Sequence, residues 1–220
     1  MTRPDRDDGT ALRGRRPAGQ PGGRDALLQV ARQAFARQSF EAAGLRAISG
    51  AAGVSQNLVA VHFKDKAGLW AACVAELTAQ MQQSLTVFAA LLDDENMTLK
   101  DRLDAMLDLT AQFYQQNPET NGFILQTLAG DPARGEVLMD SLLRPVFDAS
   151  RPLIEEGIAA GLVRSQSPAM VTAVIHLTLG HSDHFTRMMR VMAPETSDEA
   201  ALANLAQTLK SLLLIGHQND

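Results

Sequence analysis

The side chains best suited to recognise another molecule lie in the stretch LRAISGAAGVSQNLVAVHFKDKAGL, residues 45–69. Gln56 and Asn57 stand side by side, and each amide can offer a hydrogen-bond donor and an acceptor to the edge of an adenine base. His62 and Lys66 follow along the chain and are suited to contacts with backbone phosphates. These residue types in this order indicate double-stranded DNA as a partner.

The elements that must position these side chains are helical by their apolar periodicity. A stripe of apolar residues predicts a first helix over residues 25–38, and a second short helix turns Ile48 inward. Gly53 then provides a left-handed turn, and Ser55 is the predicted N-cap of a third helix that runs to about His62. This arrangement is a helix-turn-helix, whose second helix enters a major groove about 12 Å wide.

The predicted DNA contacts combine this reading helix with a basic arm. Residues 1–23 are rich in Gly, Pro, Arg and Asp and lack apolar periodicity, which predicts a disordered arm. Its arginines either enter the minor groove or belong to a solvated tail, and the sequence leaves both open. The predicted DNA-binding residues are Arg46, Ser55, Gln56, Asn57, Leu58, His62 and Lys66, with Arg15 and Arg16 of the arm.

Charge is divided unevenly along the chain, although the net charge is only −5. Residues 1–70 carry 11 Arg and Lys against 6 Asp and Glu, a balance of +5, whereas the remainder carries 9 against 19, a balance of −10. A polyanion would be attracted by the first part and repelled by the second. The division favours a DNA-reading head on a body that does not bind DNA.

Several residues of the head stand in the order and spacing of a known family. They are Ala31, Phe35, Ile48, the run Ala52-Gly53-Val54-Ser55, the pair His62-Phe63, Lys66 and Leu69. At these positions the chain resembles the tetracycline-repressor (TetR) family of regulators. The resemblance implies an Ω-shaped homodimer, with a C-terminal body that binds a small molecule and thereby controls DNA affinity.

Three positions depart from the family pattern. Ala60 stands where the family usually has a phosphate-binding tyrosine, Ser49 where it has alanine, and Ala43 where it has threonine. Each missing hydroxyl removes a positioning contact, so that phosphate binding would depend more on the basic side chains of the head and arm. We therefore expect DNA affinity that is unusually sensitive to salt.

The rest of the chain predicts a helical body with about nine helices in the whole protein. A long helix starts after Asp65, another spans about residues 131–161 with a kink at Pro145, a penultimate one spans about residues 168–192, and the last starts at Ser197. Apolar residues on the first of these and its successors predict a pocket for an apolar or aromatic ligand, lined by Met81, Leu85, Phe88, Leu103, Met106, Leu107, Phe113, Tyr114, Phe123 and Leu128.

The last two predicted helices carry stripes that suit a dimer interface. Two such helices from each chain would form a four-helix contact about a two-fold axis, although the same stripes would also suit the core of a single chain. The predicted interface residues are Val174, Thr178, His181, Leu205, Leu209 and Leu212.

Other function classes stay open at this point. An enzyme would have to use the polar residues Asp104, Asp108, His181 and His184, but no Gly-rich phosphate loop or nucleophile elbow accompanies them. A metal at the histidines would need a further carboxylate. A helical interaction protein would leave the charge division unexplained, and an activator or an effector-independent regulator stands beside the repressor that we favour.

The sequence thus predicts an all-α, cytoplasmic transcriptional regulator without cofactor or metal. The predicted parts are a basic arm (1–23), a helix-turn-helix head (24–70) and an effector-binding and dimerisation body (71–220). The predicted partners are a palindromic DNA operator, a second copy of the chain and a small apolar effector. No apolar stretch approaches the roughly 20 residues of a membrane span, and Cys73, the single cysteine, is expected to be a buried thiol.

Overall fold

The computed structural model describes residues 23–92, 94 and 96–216. In this part of the chain the regular elements are helices, and an isolated bridge joins Val163 to Leu214. The helices are α1 (Gly23–Arg37), α2 (Leu45–Ala51), α3 (Asn57–Phe63), α4 (Lys66–Leu92), α5 (Leu99–Gln116), α6 (Glu119–Leu128), α7 (Pro132–Leu138), α8 (Arg144–Ala159), α9 (Pro168–Leu179), α10 (Ser182–Met192) and α11 (Asp198–Leu213). None of these helices has both the length and the apolar character to cross a membrane. The predicted all-α class is confirmed.

Short polar side chains set the starts of the body helices, as their sequence positions predict. The Asp65 carboxylate accepts a hydrogen bond from the backbone N–H of Gly68 at 2.8 Å and so caps α4. Thr98 and Asp101 form a reciprocal capping box at the start of α5. The hydroxyls of Ser167 and Ser197 accept from backbone N–H groups at the starts of α9 and α11.

The described residues contain more helical segments than predicted because two long helices are interrupted. The helix predicted over residues 131–161 contains a π-helical turn, Met139–Leu143, and Pro145 lies in the first turn of α8. Proline lacks an N–H and crowds the carbonyl four residues before it, so that a widened turn just upstream accommodates it. The helix predicted over residues 168–192 ends at Leu179, and a break at Gly180 and His181 separates α9 from α10.

A continuous apolar core joins the first three helices to the rest of the protein. Phe123 of α6 is fully buried, stacks on Trp70 of α4 with ring centroids 6.2 Å apart, and meets Phe35 of α1 edge to face. Gly122 allows this close packing, because a Cβ there would lie 2.7 Å from the carbonyl oxygen of Ala36. Helix α4 crosses the predicted boundary at residue 70, so that the predicted head and body share one helix.

Candidate functional site

The exposed face of α3 presents the side chains predicted to read DNA. Gly53 has φ of +64°, the left-handed turn expected before α3. Val59 and Phe63 are buried and fix α3 against the core, which leaves Gln56 and Asn57 exposed at its N-terminal end. The result is a short helix with a polar tip, held rigidly by its apolar side.

The predicted hydroxyl cap at Ser55 is wrong. Helix α3 begins at Asn57, its N-cap position is Gln56, and no capping side chain closes it. Gln56 already has helical backbone angles, φ of −60° and ψ of −29°, so that the carbonyl of Ser55 accepts from the N–H of Leu58 at 3.0 Å in a tight first turn. The exposed Ser55 side chain lies beside the amides of the reading tip.

The basic side chains of the head differ in how firmly they are held. Arg46 on α2 and His62 on α3 are exposed. The Lys66 ammonium is half-buried, donates to the carbonyl oxygen of Glu41 at 3.1 Å and lies 4.7 Å from the ring centroid of Phe40. An ammonium has three donors, so Lys66 has capacity for a phosphate beside its contact within the head.

A half-buried cationic group ties the head to two helices of the body. The Arg32 side chain of α1 is 14% exposed, and its guanidinium lies 3.5 Å from a carboxylate oxygen of Glu76 on α4 and 3.2 Å from one of Glu119 on α6. The cluster is partly shielded from solvent, so that removal of one partner would leave a charge less well compensated. The ion pairs of Arg32 thus connect α1 with both α4 and α6.

A second tie joins α7 to the loop between α1 and α2. The Arg134 guanidinium pairs with the Glu41 carboxylate at 2.5 Å and lies 3.8 Å from the centroid of the Phe40 ring. Phe40 thus contacts Arg134 as well as Lys66, which is the first residue of α4. The ring face thus holds both cations, beside the ion pair of the guanidinium and the hydrogen bond of the ammonium.

A largely apolar cavity lies in the body beside the far half of α4, with about 580 Å³ of empty volume that includes the solvent at its mouth. Its walls come from α4, α5, α8 and α9: Met81, Ser84, Leu85, Phe88, Met106, Leu109, Thr110, Phe113, Val146, Ser150, Ile154, Thr172, Ile175 and His176. No Lys, Arg, Asp or Glu is among these described lining residues. The cavity suits a mostly apolar, uncharged molecule.

One polar pair belongs to the cavity wall. The Nδ1 atom of His176 lies 3.0 Å from the hydroxyl oxygen of Tyr114. Burial lowers the pKa of His176 to about 4 and raises the pKa of Tyr114 above its usual value, so that both groups are neutral near pH 7.

Comparison with known proteins identifies the head. The family described as bacterial regulatory proteins, tetR family, matches residues 27–73, which comprise α1, α2, α3 and the start of α4. The match identifies residues 27–73 as a DNA-binding head of the TetR type. The chain is a transcriptional regulator with a helix-turn-helix DNA-binding head, and regulators of the TetR family bind DNA and act as dimers.

Whole-chain relatives agree with this assignment. The HTH-type transcriptional regulatory protein RaaS of Mycobacterium tuberculosis is 28% identical over 184 residues, which cover 83% of this chain and 79% of the relative. Among solved structures, the hemolysin II transcriptional regulator HlyIIR aligns with a TM-score of 0.67 at 14% identity, over 88% of this chain and 97% of that one. A transcriptional regulator from Streptomyces coelicolor aligns with a TM-score of 0.61 at 17% identity, over 87% of this chain and 98% of that one. At these identities the two structures show the shared fold alone.

The structure divides the predicted pocket residues into two groups. Met81, Leu85, Phe88, Met106 and Phe113 line the cavity. The other five do not: Leu103, Leu107, Tyr114 and Phe123 are buried in the core, and Leu128 is 42% exposed at the end of α6. Periodicity marks the inward side of a helix, but inward positions can face either a cavity or a packed neighbour.

Sequence reasoning missed the walls from α8 and α9, and it missed part of the reading face. Val146, Ser150 and Ile154 of α8 face the cavity, as do Thr172, Ile175 and His176 of α9. In the head, Val61 is 66% exposed on α3 and could contact a thymine methyl group, whereas Val59 is buried. The spacing of four residues between Asn57 and Val61 was a signal for one shared face.

The residues predicted for the dimer interface are unequally accessible. Val174 and Leu212 are exposed, Thr178, His181 and Leu205 are half-buried, and Leu209 is buried in the core of its own chain. Other large apolar side chains are exposed on the same helices: Met170 and Leu177 on α9, and Met188, Val191 and Met192 on α10. The last helices therefore carry an apolar surface that one chain leaves uncovered.

The remaining predicted groups lie elsewhere. His181 and His184 have ring centroids 6.0 Å apart, while His176 bonds to Tyr114. In the part of the chain that the structure describes, no group of three or more His, Cys, Asp or Glu side chains is placed to hold a metal ion. Asp108 instead pairs with Lys210 at 2.7 Å. Arg15 and Arg16 lie outside the described residues.

Proposed function

We propose that this TetR regulator is a homodimeric repressor that leaves a palindromic operator when a small apolar molecule occupies the cavity. Residues 24–70 act as the operator-reading head, residues 71–220 as the effector-binding and dimerisation body, and residues 1–23 as a basic arm. The observation that carries the proposal is the course of α4. It begins at Lys66, directly after the reading helix ends at Phe63, and its far half lines the cavity.

The coupling follows from geometry. Two reading helices of a dimer must stand about 34 Å apart to meet successive major grooves on one face of a duplex. An effector that binds more tightly when α4 is displaced shifts the population towards dimers with another separation, by no more than its difference in affinity for the two states. The ties at Arg32 and Arg134 would carry a displacement of α4, α6 or α7 to the head.

Base reading is assigned to the tip of α3. Gln56 and Asn57 are proposed to contact bases, Leu58 and Val61 to offer apolar contacts, and the polar and basic side chains Arg46, Ser55, His62 and Lys66 to contact the backbone, with Arg15 and Arg16 in the arm. The support is the exposure of the tip above a buried apolar side.

The test compares specificity with overall affinity. Fluorescence anisotropy would measure binding to the DNA that flanks the gene and to a scrambled duplex of equal length, across a salt series. Gln56→Ala combined with Asn57→Ala should lower the ratio of the two affinities by about 10- to 100-fold. Arg46→Ala should weaken binding to both duplexes alike and reduce the salt slope by about 1.

The matched control removes a positive charge far from the head. Lys100→Ala on α5, where the ammonium pairs with Asp104, should leave both affinities and the salt slope unchanged. The assignment is wrong if the double alanine variant keeps its preference for the flanking DNA, or if Arg46→Ala alters sequence preference alone.

The dimer interface is assigned to α9 and α11, extended by the exposed apolar side chains of α10. Leu177→Glu, at a position 56% exposed on α9, should convert dimers to monomers in sedimentation equilibrium and abolish tight operator binding. Val87→Glu, at a position 55% exposed on α4, introduces the same charge at similar exposure and should leave the dimer intact. A Leu177→Glu protein that stays dimeric would place the interface elsewhere.

Release of the operator DNA by an effector is tested in a separate titration. Butylbenzene, a purely apolar probe, would be titrated into the operator complex while anisotropy is followed. A fall in anisotropy at concentrations that saturate the protein supports release. Saturation of the cavity by this probe, measured by calorimetry, without any change in operator affinity would contradict release by a purely apolar effector.

A further inference from the structure

Each hydroxyl group that lines the cavity donates its proton to a hydrogen bond within the protein. Ser84, Thr110, Ser150 and Thr172 each donate to a carbonyl oxygen of their own helix, at 3.4, 2.8, 3.2 and 3.0 Å respectively. A hydroxyl has one proton to donate, so that these groups offer a ligand only their oxygen lone pairs. A donor towards the cavity must come from another side chain.

His176 is that donor, because Tyr114 fixes its tautomer. The buried Tyr114 hydroxyl has a proton to donate, and the only acceptor recorded for it among the described residues is Nδ1 of His176. Donation to Nδ1 places the single imidazole proton on Nε2. The opposite tautomer would leave the buried hydroxyl proton without an acceptor. Among the described residues, His176 makes its hydrogen bond through Nδ1, which leaves Nε2 for a ligand, and His176 is one of the residues that line the cavity.

The described cavity lining carries no charged side chain, and this limits the chemical class of the ligand further. A carboxylate would have to leave water for a lining that offers neither Lys nor Arg, at a high desolvation cost. A purely apolar molecule would leave the Nε2 donor without a partner. An uncharged acceptor satisfies both conditions.

We propose that the effector is an uncharged carbonyl compound, such as a ketone, ester or lactone on an apolar chain or ring, whose oxygen accepts a hydrogen bond from Nε2 of His176. This inference rests on the proposed effector role of the cavity, and it adds the chemical class of the ligand. Tyr114 acts behind the wall as the residue that orients and polarises the donor.

Three probes of nearly equal size test the proposal by calorimetry on the full chain without DNA. They are 4-phenyl-2-butanone, butylbenzene, which has a methylene in place of the carbonyl, and 4-phenylbutanoate, which is charged. The ketone should bind about 3- to 10-fold more tightly than butylbenzene, the worth of one net hydrogen bond. The carboxylate should bind more weakly than either. Equal affinity for ketone and hydrocarbon, tighter binding of the carboxylate, or no binding by any probe would overturn the proposal.

Two variants test whether the preference for the ketone depends on His176 and Tyr114. His176→Phe should abolish the ketone preference with little change for butylbenzene, and Tyr114→Phe, which alters no cavity-lining residue, should reduce it. His184→Phe is the matched control, because His184 is exposed outside the cavity, and it should keep the preference. A ketone preference that survives both His176→Phe and Tyr114→Phe would refute the assignment.

A spectroscopic readout remains if the His176 variant fails to fold. Long-range ¹H–¹⁵N correlation spectra of the wild-type chain at pH 7 should show His176 as the Nε2–H tautomer. An Nδ1–H tautomer or an imidazolium would overturn the inference. Failure of the repressor mechanism is distinguishable, because it would appear as tight, His176-dependent ketone binding that leaves operator affinity unchanged.

Discussion

Acidification should destabilise this regulator through His176. Burial lowers the folded-state pKa of His176 to about 4, from 6.5 for an exposed histidine. Between these two values the unfolded chain binds a proton that the folded chain does not, so that stability is lost as pH falls through 6.5 and levels off below about 4. With one pKa unit worth about 1.4 kcal/mol, a change from pH 7 to pH 5 should cost about 2 kcal/mol of unfolding free energy.

The assay uses the single tryptophan, Trp70, which is buried against Phe123. Urea unfolding followed by its fluorescence, at fixed protein concentration, gives the free energy of unfolding at pH 7, 6 and 5. His176→Phe removes the titrating group, so that its loss between pH 7 and 5 should be smaller than in wild type by about 2 kcal/mol. His184→Phe, at an exposed position, should lose as much as wild type.

The comparison rests on the pH slope and not on absolute stability, so a destabilised variant remains informative. Asp101 and Asp198 have pKa values below the usual range because of hydrogen bonds from Thr98 and Arg190, and both contribute equally in wild type and variant. Equal slopes for wild type and His176→Phe would refute the assignment of a buried, neutral imidazole to the cavity wall.

Three further predictions concern the joint between head and body. Arg32→Met should destabilise the protein by about 2 kcal/mol in urea unfolding. In a double-mutant cycle with Glu119→Gln, the two destabilisations should not add, because the two side chains form an ion pair. Additive effects would mean that this ion pair contributes nothing to stability. Gly122→Ala should lower the free energy of unfolding by about 1–3 kcal/mol, because the added Cβ forces α1 and α6 apart. Gly50→Ala is the control and should be neutral or stabilising, because a Cβ there meets nothing within 4 Å. Equal effects of the two substitutions would refute the close approach of α1 and α6. The Cys73 thiol, whose pKa burial raises to about 12, should react with Ellman's reagent only as the protein unfolds, and rapid reaction in the native state would contradict its burial.

Much of the fold could be predicted because its signals are local. Four helix starts are marked in the sequence by polar residues that lie within three residues of the backbone groups they cap: Asp65, Thr98, Ser167 and Ser197. Gly53 likewise indicates the left-handed turn that it adopts. The break that separates α9 from α10 has no comparable mark, because Gly180 adopts ordinary helical angles and the residue that departs from them is His181, with φ of −98° and ψ of 33°.

The candidate site was less predictable because its key contacts are non-local. Tyr114 and His176 are 62 residues apart, and only the packing of α5 against α9 joins them. The same holds for Lys66, whose contact with the Glu41 carbonyl follows from how the loop after α1 packs on α4. Cavity walls and packed core have the same periodicity, which is why Phe123 was predicted to line a pocket and instead fills the α1–α6 joint.

The central claim, that paired copies of α3 read an operator, is tested most directly by selection of binding sites from a pool of random duplexes. The account predicts an enriched inverted repeat whose half-sites are centred about one helical turn, or a small multiple of it, apart. The variant with Gln56→Ala and Asn57→Ala should lose enrichment at particular base positions of each half-site while it keeps residual affinity for DNA. Absence of any enriched repeat, or an identical repeat selected by the double variant, would contradict the account.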